Sequence, residues 1–518
     1  MNIIDLFLAH AADTPDKPAI VFGDSSLSYA QVADLTGRLC GLLRSMGIRE
    51  GDCLLVALDN GIEFTLTMLA AAELGAMLAP VATSMPVVAM QRSLEATCAR
   101  FVVASNPVCR RLLDSAPGQD GRLSLLVTGA PVAGCRHFSE LDRDDRPYRL
   151  GSHGADPQLD FLLTMTSGST GDPKPITLSQ AGKIRRSLDG ARDLYGLDND
   201  DVIITSTPMY HSLGFRLALL PLLIGATAVI LPRFSPKGWI EAVNSHAVSF
   251  AIMVSSHLEL IAQWLLGHPT PLPSLTTMVS SSALLRPEIK QRCIDLFDCA
   301  FHECYGASEV GIVTNLAPAD CRDNLASVGK ALDYVDLMIM DEHGQAMPHG
   351  RIGEIACRTA TAFSGYYRRP DATSASMRSG FFCTGDMGHV DADGYLYLAG
   401  RKKDIIIVGG SNVYPEDVEA VLREAPGVED CAVIGVPDRY FGEAALAVIT
   451  TGNTQADLRH IKAFCAQRLA DFQLPQAYEI VDKLPRTALG KIQRQVLRDR
   501  YANYDATADL RLLMRRGA

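Results

Sequence analysis

The chain has 518 residues, 47% hydrophobic and 21% charged, more than one ordinary core accommodates, so two or more domains are expected. Its net charge of −11 excludes nucleic acid as the main partner, because phosphate neutralisation needs a basic face, yet permits a small anion held by local cations and backbone amides. The 13 cysteines form no C-x-x-C pair and no cluster with zinc spacing, so reduced thiols in a cytoplasmic protein are expected.

The first ten residues lack a basic leader and read as an amphipathic helix, not a signal peptide. No run reaches the roughly 18–20 apolar residues that a membrane span requires. From Ser28 to about Pro232, helix-like periodicity over Gln31 to Met46 and Ile62 to Leu74 alternates with short β-like runs at Cys53 to Leu58, Phe101 to Ala104 and Leu125 to Thr128. A second unit of this kind runs from Asp201 to about Leu316, with strands at Val229, Phe250 to Val254 and Met278. Strands alternating with helices predict mainly parallel sheets covered on both faces.

From Leu337 short strands are separated by turns ending at Gly344, Gly350 and Gly394, which predicts a small β-rich subdomain. A compact segment follows, with strands Ile405 to Val408 and Cys431 to Val436 and helices Pro415 to Glu424 and Ala456 to Leu469. The expected fold class is α/β. A large domain over 1–400 holds two mainly parallel α/β subdomains and a small β-rich one. A hinge at 401–404 leads to a small mobile α+β domain over 405–518.

The strongest chemical signal is the loop Thr166, Ser167, Gly168, Ser169, Thr170, Gly171, followed by Asp172, Pro173 and Lys174, directly after the apolar run from Phe161. Glycines let backbone amides approach an anion, hydroxyls add donors and Lys174 supplies charge. The pattern is not the G-x-x-x-x-G-K-[ST] of ordinary nucleotide triphosphatases. Taken alone, a Ser/Thr/Gly loop is as readily a surface turn; its place after a buried strand favours phosphate binding.

The loop resembles the phosphate loop of the adenylate-forming superfamily, which includes acyl-CoA synthetases, peptide-synthetase adenylation domains and luciferase. Further motifs of that superfamily follow in order: Y-G-A-S-E at Tyr305 to Glu309, G-Y-Y-R-R-P at Gly365 to Pro370, T-G-D at Thr384 to Asp386, G-R-K-K-D at Gly400 to Asp404, and L-G-K at Leu489 to Lys491. The resemblance covers nearly the whole chain. It implies that Tyr305 stacks on adenine beside Gly306, that Ser308 (where Thr is usual) reaches phosphate, and that Glu309 holds Mg²⁺. Asp386 would accept both ribose hydroxyls, Arg401 would reach ribose and phosphate, and Lys491 would bridge the acid and the α-phosphate during adenylation. Each job has a physical reason: joining a carboxylate to a phosphate brings two anions together, and a carboxylate suits a vicinal diol. Taken without the family, Asp386 is as readily a turn cap, and Lys491 a solvated lysine.

The resemblance also implies that the small domain swings between two poses, with Lys403 at the hinge position and Gly409 and Gly410 lining a passage for the pantetheine arm of coenzyme A. Ile407 to Pro415 and Met209 to Phe215 resemble acyl-CoA synthetases more than amino-acid activating relatives. They place His211 beside the incoming carboxylate or thiol; a structural histidine is the plainer alternative. The acid pocket is expected at His211, Ser281, Ser282 and Gly306, with Ser281 and Ser282 standing where the family usually has adjacent glycines. Arg216 either pairs with a second acidic group of the substrate or faces solvent. The expected substrates are ATP with Mg²⁺, a non-amino carboxylic acid and coenzyme A. An acyl carrier protein or an amine is the alternative acceptor, and a monomer or homodimer the expected assembly.

Overall fold

The computed structural model describes residues 1–115, 123–142, 148–166, 174–408, 411–438, 442–452, 457–487 and 490–504. Two compact units emerge: Met1–Asp336 with Arg358–Gly380, and Leu337–Cys357 with Phe381–Ala518.

The first unit carries two mixed sheets. The eight-stranded sheet runs in the order Gly365–Tyr366, Lys174–Ser179, Asp160–Thr166, Met77–Pro80, Cys53–Ala57, Phe101–Ser105, Ser124–Thr128, Arg136–His137. Its pairings are parallel from Asp160–Thr166 onward and antiparallel at the other edge. The nine-stranded sheet runs Lys330–Ala331, Gly311–Leu316, Ala300–Ala307, Thr277–Ser281, Phe250–Val254, Val202–Thr205, Thr227–Ile230, Pro18–Phe22, Ser25–Ser28. Strands such as Cys53–Ala57 and Phe250–Val254 are buried at every position, as a parallel sheet covered on both faces demands. The helices Ile62–Leu74 and Ser212–Ile224 are apolar nearly all round, and the core they belong to takes side chains from both sheets.

One expectation about subdomain composition needs correction. The second sheet is not confined to Asp201 to Leu316, because the hairpin Pro18–Phe22 and Ser25–Ser28 joins it, with Ile20 beside Ala228 in parallel register. Local periodicity reports how a strand is buried but not which distant edge it completes.

The strands Val335–Met340, Gly353–Thr359, Phe381–Val390 and Leu396–Arg401, which lie mostly in the second unit, belong to a β-rich sheet. Its turns place Gly344, Gly350 and Gly394 at positive φ, as their turn sequences predict. The segment beyond builds a second sheet, Ser411–Val413, Ile406–Val408, Gly442–Thr450, Asp430–Asp438, with Ala477–Ile480 beside Gly442–Thr450. The helix expected over Ala456 to Leu469 is shorter, Leu458–Ala466, capped by the Asp457 side chain. The units divide at 336/337, 357/358 and 380/381, so the expected hinge lies inside the second unit as a 3-10 turn over Lys402–Asp404. Lys402 Nζ donates to Glu354 at 2.7 Å, and the Glu416 carboxylate lies against Gly400, contacts that join the β-rich strands to the C-terminal segment. Among the described residues, no helix is long and apolar enough to cross a membrane.

Candidate active site

In the first unit the expected phosphate loop begins and ends on paired strands. Thr166 closes Asp160–Thr166 and Lys174 opens Lys174–Ser179, opposite each other in antiparallel register. Ser167, Gly168, Ser169, Thr170 and Gly171 lie outside the described residues, as does the Thr166 side chain. This pairing brings the two ends of the loop opposite each other on adjacent strands.

The Y-G-A-S-E motif is held by contacts that the sequence does not advertise. Tyr305 is buried on the strand Ala300–Ala307. A Cβ at Gly306 would meet the Gly311 carbonyl at 2.0 Å, so only glycine fits there. Arg186, buried on the helix Gln180–Ser187, donates to the carbonyls of Ser308 (2.8 Å), Glu309 (2.6 Å) and Thr361 (2.8 Å). Burial, then the neighbouring Arg216, lowers the Arg186 pKa, while Glu309 raises it. The backbone of Glu309 is thus fixed through carbonyls, leaving its carboxylate for other work. That carboxylate accepts one hydrogen bond from Tyr366 Oη at 3.0 Å. Tyr366 belongs to the G-Y-Y-R-R-P motif, and its own amide donates to Thr373 Oγ1 at 2.9 Å. Burial, then Glu309, pushes the Tyr366 phenol up, so it stays a donor.

Arg186 and Tyr366 are the positioning residues that sequence reasoning missed. Arg186 reaches carbonyls more than a hundred residues away, which leaves no local spacing to read. Tyr366 was visible within a motif, but not its target.

The expected acid pocket is also in this unit. His211 caps the helix Ser212–Ile224, and its ring lies 4.5 Å from that of Tyr210. The loop leading to it is pinned by Asn60, which donates to Thr207 O and Leu231 O (3.1 Å each) and accepts from Met209 N (2.7 Å). A Cβ at Gly214 would collide with the Pro208 carbonyl at 2.3 Å, so the glycine of Met209 to Phe215 is required by close approach. Ser281 ends the strand Thr277–Ser281, its hydroxyl beside the Cys304 thiol. Ser282 has φ 75, a left-handed conformation that glycine adopts without strain.

The second unit carries its own set. Asp386 and Arg401 are cross-strand partners, and Arg401 Nε donates to Asp386 Oδ1 at 2.7 Å. Thr384 holds the turn, donating to Ile355 O at 2.9 Å and accepting from Asp386 N at 3.1 Å, with Gly385 at φ 72. Lys491 lies about ninety residues further on, in a turn closed by Thr487 N donating to Lys491 O at 2.8 Å. Its side chain reaches the surface yet is ringed by enough protein to lower its pKa. Arg401 adds to the lowering and Asp386 opposes it. Three residues that the motifs scatter over 386–491 are therefore coupled through their charges. Lys403 is exposed in the Lys402–Asp404 turn. Gly409 and Gly410 lie outside the described residues.

The first unit thus holds a carboxylate braced by Arg186 and Tyr366, and the second an aspartate paired with an arginine whose charges act on a lysine. A family model described as AMP-binding enzyme matches residues 7–367, and one described as AMP-binding enzyme C-terminal domain matches residues 417–491. The chain is 32% identical over 507 residues to the indoleacetate–CoA ligase of Aromatoleum aromaticum, across 96% of this chain and 98% of that protein. It is 27% identical over 508 residues to the fatty acid–[acyl-carrier-protein] ligase ScoC of Streptomyces coeruleorubidus, across 95% of each. The ATP-bound crystal structure of MatB from Rhodopseudomonas palustris superposes with a TM-score of 0.87 at 27% identity, across 97% of this chain and 99% of that one. The chain belongs to the AMP-binding enzyme family, the adenylate-forming superfamily its motifs resemble, and is a ligase that activates a carboxylic acid by adenylation.

Proposed function

We propose that the chain is an AMP-forming acid–CoA ligase. The observation that carries this reading is the pairing of Arg401 with Asp386, whose charges both act on Lys491, a cation of lowered pKa. In the first step a carboxylate oxygen of the acid attacks the α-phosphorus of ATP. The new bond joins carboxylate oxygen to phosphorus, and the bond to the β-phosphate oxygen breaks to release pyrophosphate. Lys491 stabilises the charge that grows between these two anions. Tyr305 and Asp386 hold adenine and ribose, and Lys174 with the loop from Thr166 holds the phosphates.

A single carboxylate, Glu309, suits Mg²⁺, which keeps several waters and takes its remaining oxygens from phosphates. When bound, the ion would neutralise phosphate charge and stabilise the leaving pyrophosphate. In the second step the thiol sulfur of coenzyme A attacks the acyl carbon, the thiol proton is released, and AMP departs. Lys403 would serve as the pivot between steps, and Gly409 and Gly410 as the thiol arm's passage. Similarity to a CoA ligase over nearly the full chain supports coenzyme A as acceptor, while similarity to a carrier-protein ligase keeps carrier pantetheine as the second reading.

The test is product mass after incubation with ATP, Mg²⁺ and a panel of short, branched, long, aromatic and dicarboxylic acids, with and without coenzyme A. An acyl-CoA product supports the ligase. Acyl-AMP that persists despite coenzyme A transfers the assignment to a carrier protein or an amine.

A further inference from the structure

Arg216 is the one charged residue of the helix Ser212–Ile224, which starts at His211. It stands four residues after Ser212, one turn further along the same face. Its Nε is buried and has no hydrogen-bond partner, and among the described residues no carboxylate pairs with it. Burying a guanidinium donor without a partner is costly unless something else supplies the acceptor.

The surroundings repeat that deficit. The Tyr334 hydroxyl is also buried without a hydrogen-bond partner, and the Tyr195 hydroxyl has only the Cys304 thiol beside it. The charge of Arg216 is felt at Tyr195, Tyr334 and Cys304. Cys304 in turn lies beside the Ser281 hydroxyl, so this polar group adjoins the wall expected for the acid pocket. Two further buried cations stand close by: Lys183, whose Nζ lies 4.9 Å from the Phe215 ring centroid, and Arg186. Arg186 already donates to the carbonyls of Ser308, Glu309 and Thr361, whereas Arg216 keeps its Nε donor unused. An unused guanidinium nitrogen with phenol hydroxyls around it forms a receptor for an anion.

Resting on the acid-activating reading above, we infer that the acid this chain activates carries a second carboxylate, and that Arg216, helped by the Tyr195 and Tyr334 hydroxyls, receives it. The carboxylate that reacts stays near His211, and the second one points along the helix toward Arg216. The short polar wall of Ser281 and Ser282 fits a compact diacid better than a long apolar chain.

The test compares kcat/KM for pyrophosphate release between matched acids. Dicarboxylates of three to six carbons and benzene dicarboxylates are set against monocarboxylates of the same skeleton, each with ATP and Mg²⁺. Wild-type protein should favour the best diacid by about 100-fold or more, the discrimination expected when a polar group in the site would otherwise be left unpaired. Arg216→Met should collapse that ratio and Arg216→Lys should retain part of it. A wild-type preference for monocarboxylates, or a ratio unmoved by Arg216→Met, overturns the inference while acid activation stands. Pyrophosphate release with no acid of either kind overturns acid activation itself, and this inference with it. Should Arg216→Met fail to fold, the wild-type ratio and Arg216→Lys decide.

Discussion

In the second unit, Arg494 donates to Glu419 at 2.8 and 2.9 Å and to Glu416 at 3.2 Å, while Arg498 donates to Asp404 at 2.6 Å. Arg423 adds contacts to Glu419 and Asp430. In the first unit, Lys183 and Arg186 are buried and Arg216 is half-buried, yet Arg186 is matched with carbonyl oxygens and Arg216 with no carboxylate among the described residues. The first arrangement ties the helix Arg494–Arg500 to the helix Pro415–Glu424 and to the turn at Asp404. Its charges are used up in holding the fold. The second stores positive charge that the fold itself does not neutralise. Paired carboxylates mark architecture here, and unpaired cations mark a place for an anion from outside.

The cation with the largest expected effect is Lys491, the member of the second unit that this contrast sets apart, because Asp386 is already engaged by Arg401. Lys491→Ala should lower acid adenylation by at least about 10²–10³-fold, the scale for losing one stabiliser of transition-state charge. Thioester formation from supplied acyl-AMP should survive. Equal loss of both half-reactions would remove the assignment of Lys491 to the first step alone. Because burial and Arg401 lower its pKa, Lys491 loses its proton at lower pH than an ordinary lysine, so adenylation should fall early on the alkaline side.

Stability breaks the comparison from the other end. Arg494→Met leaves Glu416, Glu419 and Asp404 with too little positive charge and should cost about 3–5 kcal/mol, read as a lower urea midpoint. Arg216→Met removes a guanidinium that lacks a carboxylate partner and should leave the midpoint unchanged or raise it. If both variants lose stability equally, the distinction between architectural and receptive charge is void.

Much of this is legible in the sequence because the residues concerned act locally. The uninterrupted apolar runs Phe250–Val254 and Ile62–Leu74 declare their burial, and the phosphate-loop and Y-G-A-S-E motifs declare a chemistry. The strand Gly442–Thr450 is buried at nearly every position, but its alanines carry little strand signal, and sequence reasoning names no strand there. Arg186 is harder still. The helix Gln180–Ser187 turns its polar residues Gln180, Lys183, Arg186 and Ser187 inward, the reverse of ordinary amphipathic patterning. Only the distant carbonyls it meets explain that reversal. The pairing of Asp386 with Arg401 was open to reading as two separate ligand contacts, and their cross-strand register makes them one unit.

A smaller effect is expected at Ser282, where φ 75 places an L side chain in left-handed backbone. Ser282→Gly should stabilise the first unit by about 1 kcal/mol, the order of the strain relieved. It should also admit bulkier acids, because a hydroxymethyl leaves the pocket wall. An unchanged acid profile would place that wall elsewhere, and no gain in stability would show that the turn holds Ser282 without strain.

The smallest effect separates the members of the paired network. Glu416 receives only the 3.2 Å contact from Arg494, whose closer contacts go to Glu419, and its second oxygen is buried against Gly400 with no hydrogen-bond partner. Burial raises its carboxyl to about 7, with Glu419 and Asp404 adding to the rise and Arg494 opposing it. The folded state therefore holds this proton more firmly than the unfolded chain, where the carboxyl titrates near 4.5. Its contribution to stability is fully present below about pH 4.5 and is lost as pH rises through about 7. Glu416→Gln keeps the uncharged shape at every pH. Compared by thermal melting, wild type and Glu416→Gln should match near pH 4.5 and separate by pH 8, with the glutamine variant the more stable. Wild type proving the more stable at pH 8 would mean that the Arg494 contact outweighs burial, and that Glu416 belongs with Glu419 among the fully ionised carboxylates that hold the fold.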